Sequence, residues 1–278
     1  HLNDFRRIVY RSVTRNYIIS DVGSKLLQYG TALISVIMAI LYKKKMSTIL
    51  NGILKVDEKL VTNNNVYIYS FWILILQLIL SISCIIGIYQ IIDYAWGGNN
   101  FIYFYFETFV HVIKLIFVLQ FVNIMIYVRY LYKILNNELY SFVQRHNCNV
   151  TRNKLDKKLT YNKTHYYLII YKELQEILEL INSYFAWQIV CGTASLFIQI
   201  LSSLYSTIFE IQSYFLATHE CILHIFRVFT QAVLVLFLSS NLLAMTISGH
   251  LCTREANRTV TIVHKLLLKR NLKKKASA

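Results

Sequence analysis

The chain has 278 residues, 56% apolar and only 15% charged, where a soluble chain carries about 45–50% and about 25%. Mean hydropathy is +0.45, which excludes a single soluble core and predicts a membrane protein with five or six crossings of about 20 residues each. The net charge of +15, from 29 Lys and Arg against 14 Asp and Glu, falls between the apolar runs, so it reads as topology, with lipid as the partner and no nucleic acid.

The predicted fold class is all-α, a polytopic transmembrane helix bundle with long cytoplasmic helical extensions. Residues 1–21 form an outer segment, and the first span, 22–42, stops at the basic triplet Lys43-Lys44-Lys45. The second span is 68–92 and the third 104–128. The fourth, about 184–209, opens on Tyr184, Phe185 and Trp187, residues typical of a membrane interface, and the fifth is about 221–249.

Cytoplasmic loops accumulate Lys and Arg. Residues 43–67 hold five, 129–183 nine and 250–278 eight, whereas 93–103 and 210–220 hold none. The first three are therefore placed in the cytoplasm and the last two outside. Arg6, Arg7, Arg11 and Arg15 break this pattern unless a further span precedes His1. The sequons at Asn149, Asn162 and Asn257 fall on inner loops and are expected to be unmodified.

Within 129–183, residues 145–164 read as a solvated bend. Beyond it Leu174, Ile177, Leu178, Ile181 and Phe185 recur at helical spacing, and the pattern runs unbroken into the fourth span. One long helix follows, either a stalk that docks another subunit or a helix packed within its own chain. Proline is absent, which leaves proline-kinked mechanisms without a residue to carry them. Cys84, Cys148, Cys191, Cys221 and Cys252 lack metal-like spacing and are expected to be unpaired. The chain opens at His1 rather than Met, lacks a signal peptide and runs out in Lys273-Lys274-Lys275-Ala276-Ser277-Ala278, which points to an internal fragment.

Four stretches, in this order, carry a family resemblance. Residues 49–60, ending Asp57-Glu58-Lys59-Leu60, resemble the helix after the second span of insect gustatory receptors. Residues 129–139, Arg129-Tyr130-Leu131-Tyr132-Lys133 then Asn136-Asn137-Glu138-Leu139, resemble the family's pattern after its fourth span. Residues 174–188 resemble its approach to span five, and 254–267, beginning Arg254-Glu255-Ala256-Asn257, the loop before span seven. The resemblance implies that the five spans are numbers two to six of seven and that the first span precedes the chain. It also implies that the pore-lining last helix, with its Thr-Tyr and Gln-Phe, is absent, so the chain alone would not gate ions. By the same resemblance the function is that of a gustatory receptor for small tastants, a subunit of a tetrameric ligand-gated cation channel in the plasma membrane. An odorant receptor of the same group and a multi-span transporter remain alternatives, although the chain shows neither proline nor the pseudo-repeat usual in transporters.

Ionisable residues inside spans normally face a bundle interior or a cavity. Glu107, His111 and Lys114 lie at i, i+4 and i+7 on one helical face, and Glu220, His224, Arg227 and Gln231 repeat the spacing. Both spans enter from the outside, so the stripes match in depth. They make a candidate ligand pocket, with Lys114 and Arg227 as donors and Tyr103 and Trp96, along with Tyr89, Tyr94, Tyr105 and Tyr205, stacking on the ligand. The structural alternative is that Glu107 and Glu220 neutralise the two cations. Asp93 and Glu210, with the two glutamates, could form an outer vestibule that concentrates cations, or reflect positive-inside bias alone. No HExxH, CxxC or glycine-rich loop occurs, so no enzyme, metal or cofactor is expected; His146, His165 and His264 read as loop residues.

Overall fold

The computed structural model describes residues 2–60, 79, 82, 83, 86, 87, 101–148, 154–216 and 221–276, with side chains at 22–60, 79, 82, 83, 86, 87, 108–144, 163–209, 211, 225 and 228–265. All described elements are helices: α1 Leu2–Leu41, α2 Lys43–Leu60, α3 Phe101–Cys148, α4 Lys154–Leu216 and α5 Cys221–Ala276. The chain is an all-α membrane protein. Without proline nothing removes a ladder donor, and α3, α4 and α5 run for 48, 63 and 56 residues, two to three times what a bilayer core needs. Even the junction of α1 and α2 keeps a helical bond, from the Met46 N–H to the Tyr42 carbonyl at 3.0 Å.

Among the described residues four helical stretches are long and apolar enough to cross a membrane: Val22–Leu41, Thr108–Gln144, Lys163–Phe209 and Val228–Lys265. The expected span 68–92 lies, apart from isolated helical positions, outside the described residues. Within the long stretches the exposed face changes character partway. On α4 the exposed residues include His165, Lys172, Gln175, Glu176, Glu179, Asn182 and Ser183, and then from Ala186 onward Trp187, Val190, Phe197, Leu201, Leu204 and Ile208. On α5 the change runs the other way, from Ile225, Phe229, Leu236 and Leu243 to His250, Arg254, Asn257 and Arg258. Residues 154–164, expected in a solvated bend, are helical.

The chain divides into two compact units. The first comprises His1–Leu41, Ser70–Gln120 and Ala186–Met245. Its outward face is apolar, while Ser24, Gln28, Thr31, Ser35, Lys114, Gln188, Ser195, Gln199, Ser202 and Ser206 are buried. This inversion of a soluble protein is what lipid as the outer solvent produces. The α1 hydroxyls spend their bonds locally, Thr31 Oγ1 on the Leu27 carbonyl at 2.7 Å and Ser35 Oγ on that of Thr31 at 2.9 Å.

The second unit, Tyr42–Tyr69, Phe121–Phe185 and Thr246–Ala278, is apolar inside. Ile49, Val56, Leu131, Leu135, Leu139, Ile170, Leu174, Ile181 and Phe185 are fully buried, each stabilising by about 1.5–3 kcal/mol. The helical stripe of residues 170–185 therefore packs within its own chain. Tyr184 and Phe185 belong to that core, contrary to their reading as interface aromatics, because the 3.6-residue period carries them to the face of Ile177 and Ile181; only Trp187, 68% exposed, faces outward. Polar pairs fix the register: Lys59 Nζ reaches both oxygens of Glu173 at 2.7 and 2.6 Å, Lys55 approaches the same carboxylate at 3.5 Å, and Asn136 Nδ2 donates to the carbonyl and the carboxylate of Glu255 at 3.1 and 3.2 Å.

At Gly52 α2 lies against α4: a Cβ there would stand 3.1 Å from Ile177 Cγ1. Gly52→Val should lower the thermal midpoint of the purified protein, the overpacking costing about 1–3 kcal/mol. Adding Ile177→Ala, which empties the opposing volume, should cost less than the two single changes summed. Additive losses would show that the helices do not meet there.

Candidate functional site

In the first unit α3 presents Thr108, His111 and Lys114 on its buried face, at i, i+3 and i+6. Lys114 is 7% exposed, and its ammonium donates to Ser195 Oγ on α4 at 2.8 Å. An ionisable amine held by a hydroxyl inside a lipid-facing unit is costly to bury, and such residues normally face a bundle interior or a cavity. The sequence explains how α4 offers that hydroxyl. Gln188, Gly192, Ser195, Gln199, Ser202 and Ser206 recur at alternating steps of four and three, so one seam of an otherwise apolar helix is polar or small. Gly192 keeps the seam low, a Cβ there meeting the Phe117 ring at 3.5 Å. On α1, Ser24, Gln28, Thr31 and Ser35 follow the same rhythm, and Gln188 Nε2 donates to the Ser35 carbonyl at 3.5 Å.

Gln199 is one turn from Ser195 on this seam and 3% exposed, and both ends of its amide find no partner among the described residues. Gln28 Oε1 and Gln188 Oε1 share that state. The seam can thus donate through an ammonium and an amide N–H and accept at three amide oxygens, which suits a polar guest with both donors and acceptors.

The predicted site residues fare differently. Lys114 and His111 are brought together in the interior. Tyr103 and Glu107 lie on α3, Glu210 on α4, and His224 and Arg227 on α5, with their side chains outside the described residues; Asp93, Trp96 and Glu220 lie wholly outside them. Tyr205, grouped with the stacking aromatics, is 42% exposed beside buried Ser202, Ser203 and Ser206, so it faces away from the interior. Reading charges alone misses Ser195, Gln188 and Gln199; the four-three rhythm of polar residues inside an apolar run is the signal for them. Cys191 and Cys252 are free, and among the described residues no cluster of three metal-ligating side chains occurs.

The seam sits in a helical membrane protein whose order of stretches resembles a chemoreceptor, and the comparison with known families decides the matter. The family model described as 7tm Chemosensory receptor matches residues 19–277. The chain belongs to this family. It is a family of chemosensory receptors, not of enzymes, and the match agrees with the resemblance to insect gustatory receptors. No curated protein matches the chain.

Removing the Ser195 hydroxyl strands the ammonium, a loss of about 1.5–3 kcal/mol. Ser195→Ala should therefore lower the thermal midpoint of the receptor in detergent, while Gln199→Leu, which removes an amide without a protein partner, should leave it unchanged or raise it. A midpoint lowered equally by Gln199→Leu would mean that its amide is structurally bonded.

Proposed function

We propose that this chemosensory receptor is a gustatory receptor subunit in the plasma membrane that binds a small tastant in the outer half of its bundle. The observation that carries the reading is the buried ammonium of Lys114 on Ser195. In this reading Lys114 and Arg227 donate to hydroxyl or carboxylate oxygens of the tastant, and His111 and His224 lie on the same faces one turn away. Glu107 and Glu220 hold the outer ends of the two stripes, and Tyr103 and Trp96 close over the ligand. The spans are 22–42, 68–92, 104–128, 184–209 and 221–249, and the basic stretches 43–67, 129–183 and 250–278 face the cytoplasm.

The subunit assembles, by its resemblance to insect gustatory receptors, as a homo- or hetero-tetramer that conducts cations when ligand binds. Asp93 and Glu210 would then stand at the outer mouth and raise the local cation concentration.

Cells expressing the complete receptor, with the last span that the resemblance implies, should give cation currents to members of a panel of sugars, bitter alkaloids, carboxylic acids and volatile odorants. At equal surface level Lys114→Met and Arg227→Met should each shift the dose response about tenfold or more, the worth of a charge-assisted hydrogen bond. A dose response unchanged by both overturns the pocket, and responses confined to volatile odorants would favour the odorant branch. Single-channel conductance at low salt should fall in Glu210→Gln, and an unchanged value removes the vestibule.

A further inference from the structure

The junction of α1 and α2 carries chemistry that ligand detection does not use. Val22–Leu41 is long and apolar enough to cross a bilayer, and after Tyr42 come three consecutive lysines. Lys45 is committed to its own chain: its ammonium donates to Ser183 Oγ on α4 and stands 5.7 Å from the centroid of the Tyr42 ring. Tyr184 meets that ring edge-on at 6.5 Å. Lys45 therefore works as a strut that holds Tyr42 against α4. Lys43 and Lys44 differ. Both are exposed, and among the described residues neither pairs with a carboxylate.

The flanking sequence supplies no counter-ion either. Residues 22–56 and 180–209, the two helical stretches that meet here, contain no Asp or Glu. This sets the triplet apart from the other lysines that α4 engages, since Lys55 and Lys59 share Glu173. Two free ammonium groups beside an ordered tyrosine, directly after a crossing, stand at headgroup level. Juxtamembrane lysines in that position are attracted to anionic lipid.

We infer that Lys43 and Lys44, beside the fixed ring of Tyr42, form a docking site for the phosphate-bearing headgroup of an anionic phospholipid. The phosphate oxygens accept from the two ammonium groups, and the acyl chains remain in the bilayer. The site needs neither a tastant nor a particular orientation of the receptor.

The receptor, purified and reconstituted in nanodiscs of phosphatidylcholine alone or mixed with phosphatidylserine, tests this. The anionic lipid should raise the thermal midpoint by about 4 °C or more, and Lys43→Gln with Lys44→Gln should lose most of that rise. Lys163→Gln with Lys265→Gln, at exposed lysines elsewhere, should keep it. A full rise in the Lys43/Lys44 variant, an equal loss in the Lys163/Lys265 variant, or no rise in the wild type overturns the site. A rise reproduced by glycerol phosphate added to neutral nanodiscs also overturns it, because a free phosphate would then suffice. Should the glutamine pair not fold, native mass spectrometry of the wild type decides: preferential retention of phosphatidylserine over phosphatidylcholine, kept by Lys43→Arg with Lys44→Arg, supports the site, and equal retention of the two lipids overturns it.

Discussion

A backbone inside hydrocarbon must satisfy its own hydrogen bonds, because no water is there to take them. Everything else in this receptor follows from that constraint. Helices are the only described element, and with no proline to end them they run well past the length that a bilayer demands. One helix thus serves two solvents. The exposed face of α4 is mostly polar to Ser183, with Tyr166 and Ile169 among it, and apolar from Ala186 onward, and α5 shows broadly the reverse order.

The two solvents impose opposite rules on packing. In the second unit aliphatic and aromatic side chains fill the interior, Lys59 with Glu173 pins the register near the surface, and the buried Asn136 donates to Glu255. The partly exposed pair of Lys59 and Glu173 contributes on the order of 1 kcal/mol once solvent screening is counted, far less than the apolar core beneath it. In the first unit the outer medium is as apolar as the side chains, so burial of Leu or Ile gains little and association rests on close packing and hydrogen bonds. Serines, threonines and glutamines then line the interior, and Lys114 donates to Ser195 there.

Such an interior holds polar groups without protein partners among the described residues. A polar seam offers a guest the same bonds that its own residues otherwise share, and the unpartnered amide ends of Gln28, Gln188 and Gln199 lie along it.

Much of this is legible in the order of residues along the chain. Hydropathy and the lack of proline settle the class, and the spacing of Leu174, Ile177, Ile181 and Phe185 reveals a helix running on into a span. The four-three rhythm at Gln188, Ser195, Gln199 and Ser202 is equally present, but charge draws the eye before amides and hydroxyls do. The sequence by itself determined which residues share a helical face, because that depends only on 3.6 residues per turn. The tertiary structure alone decided what each face meets: that the stripe of 170–185 buries itself within its own chain, that Tyr184 and Phe185 turn inward while Tyr205 turns out, and that the partner of Lys114 is Ser195, 81 residues away. Contacts between helices arise from the packing of whole surfaces, and no local period specifies which surface is opposite.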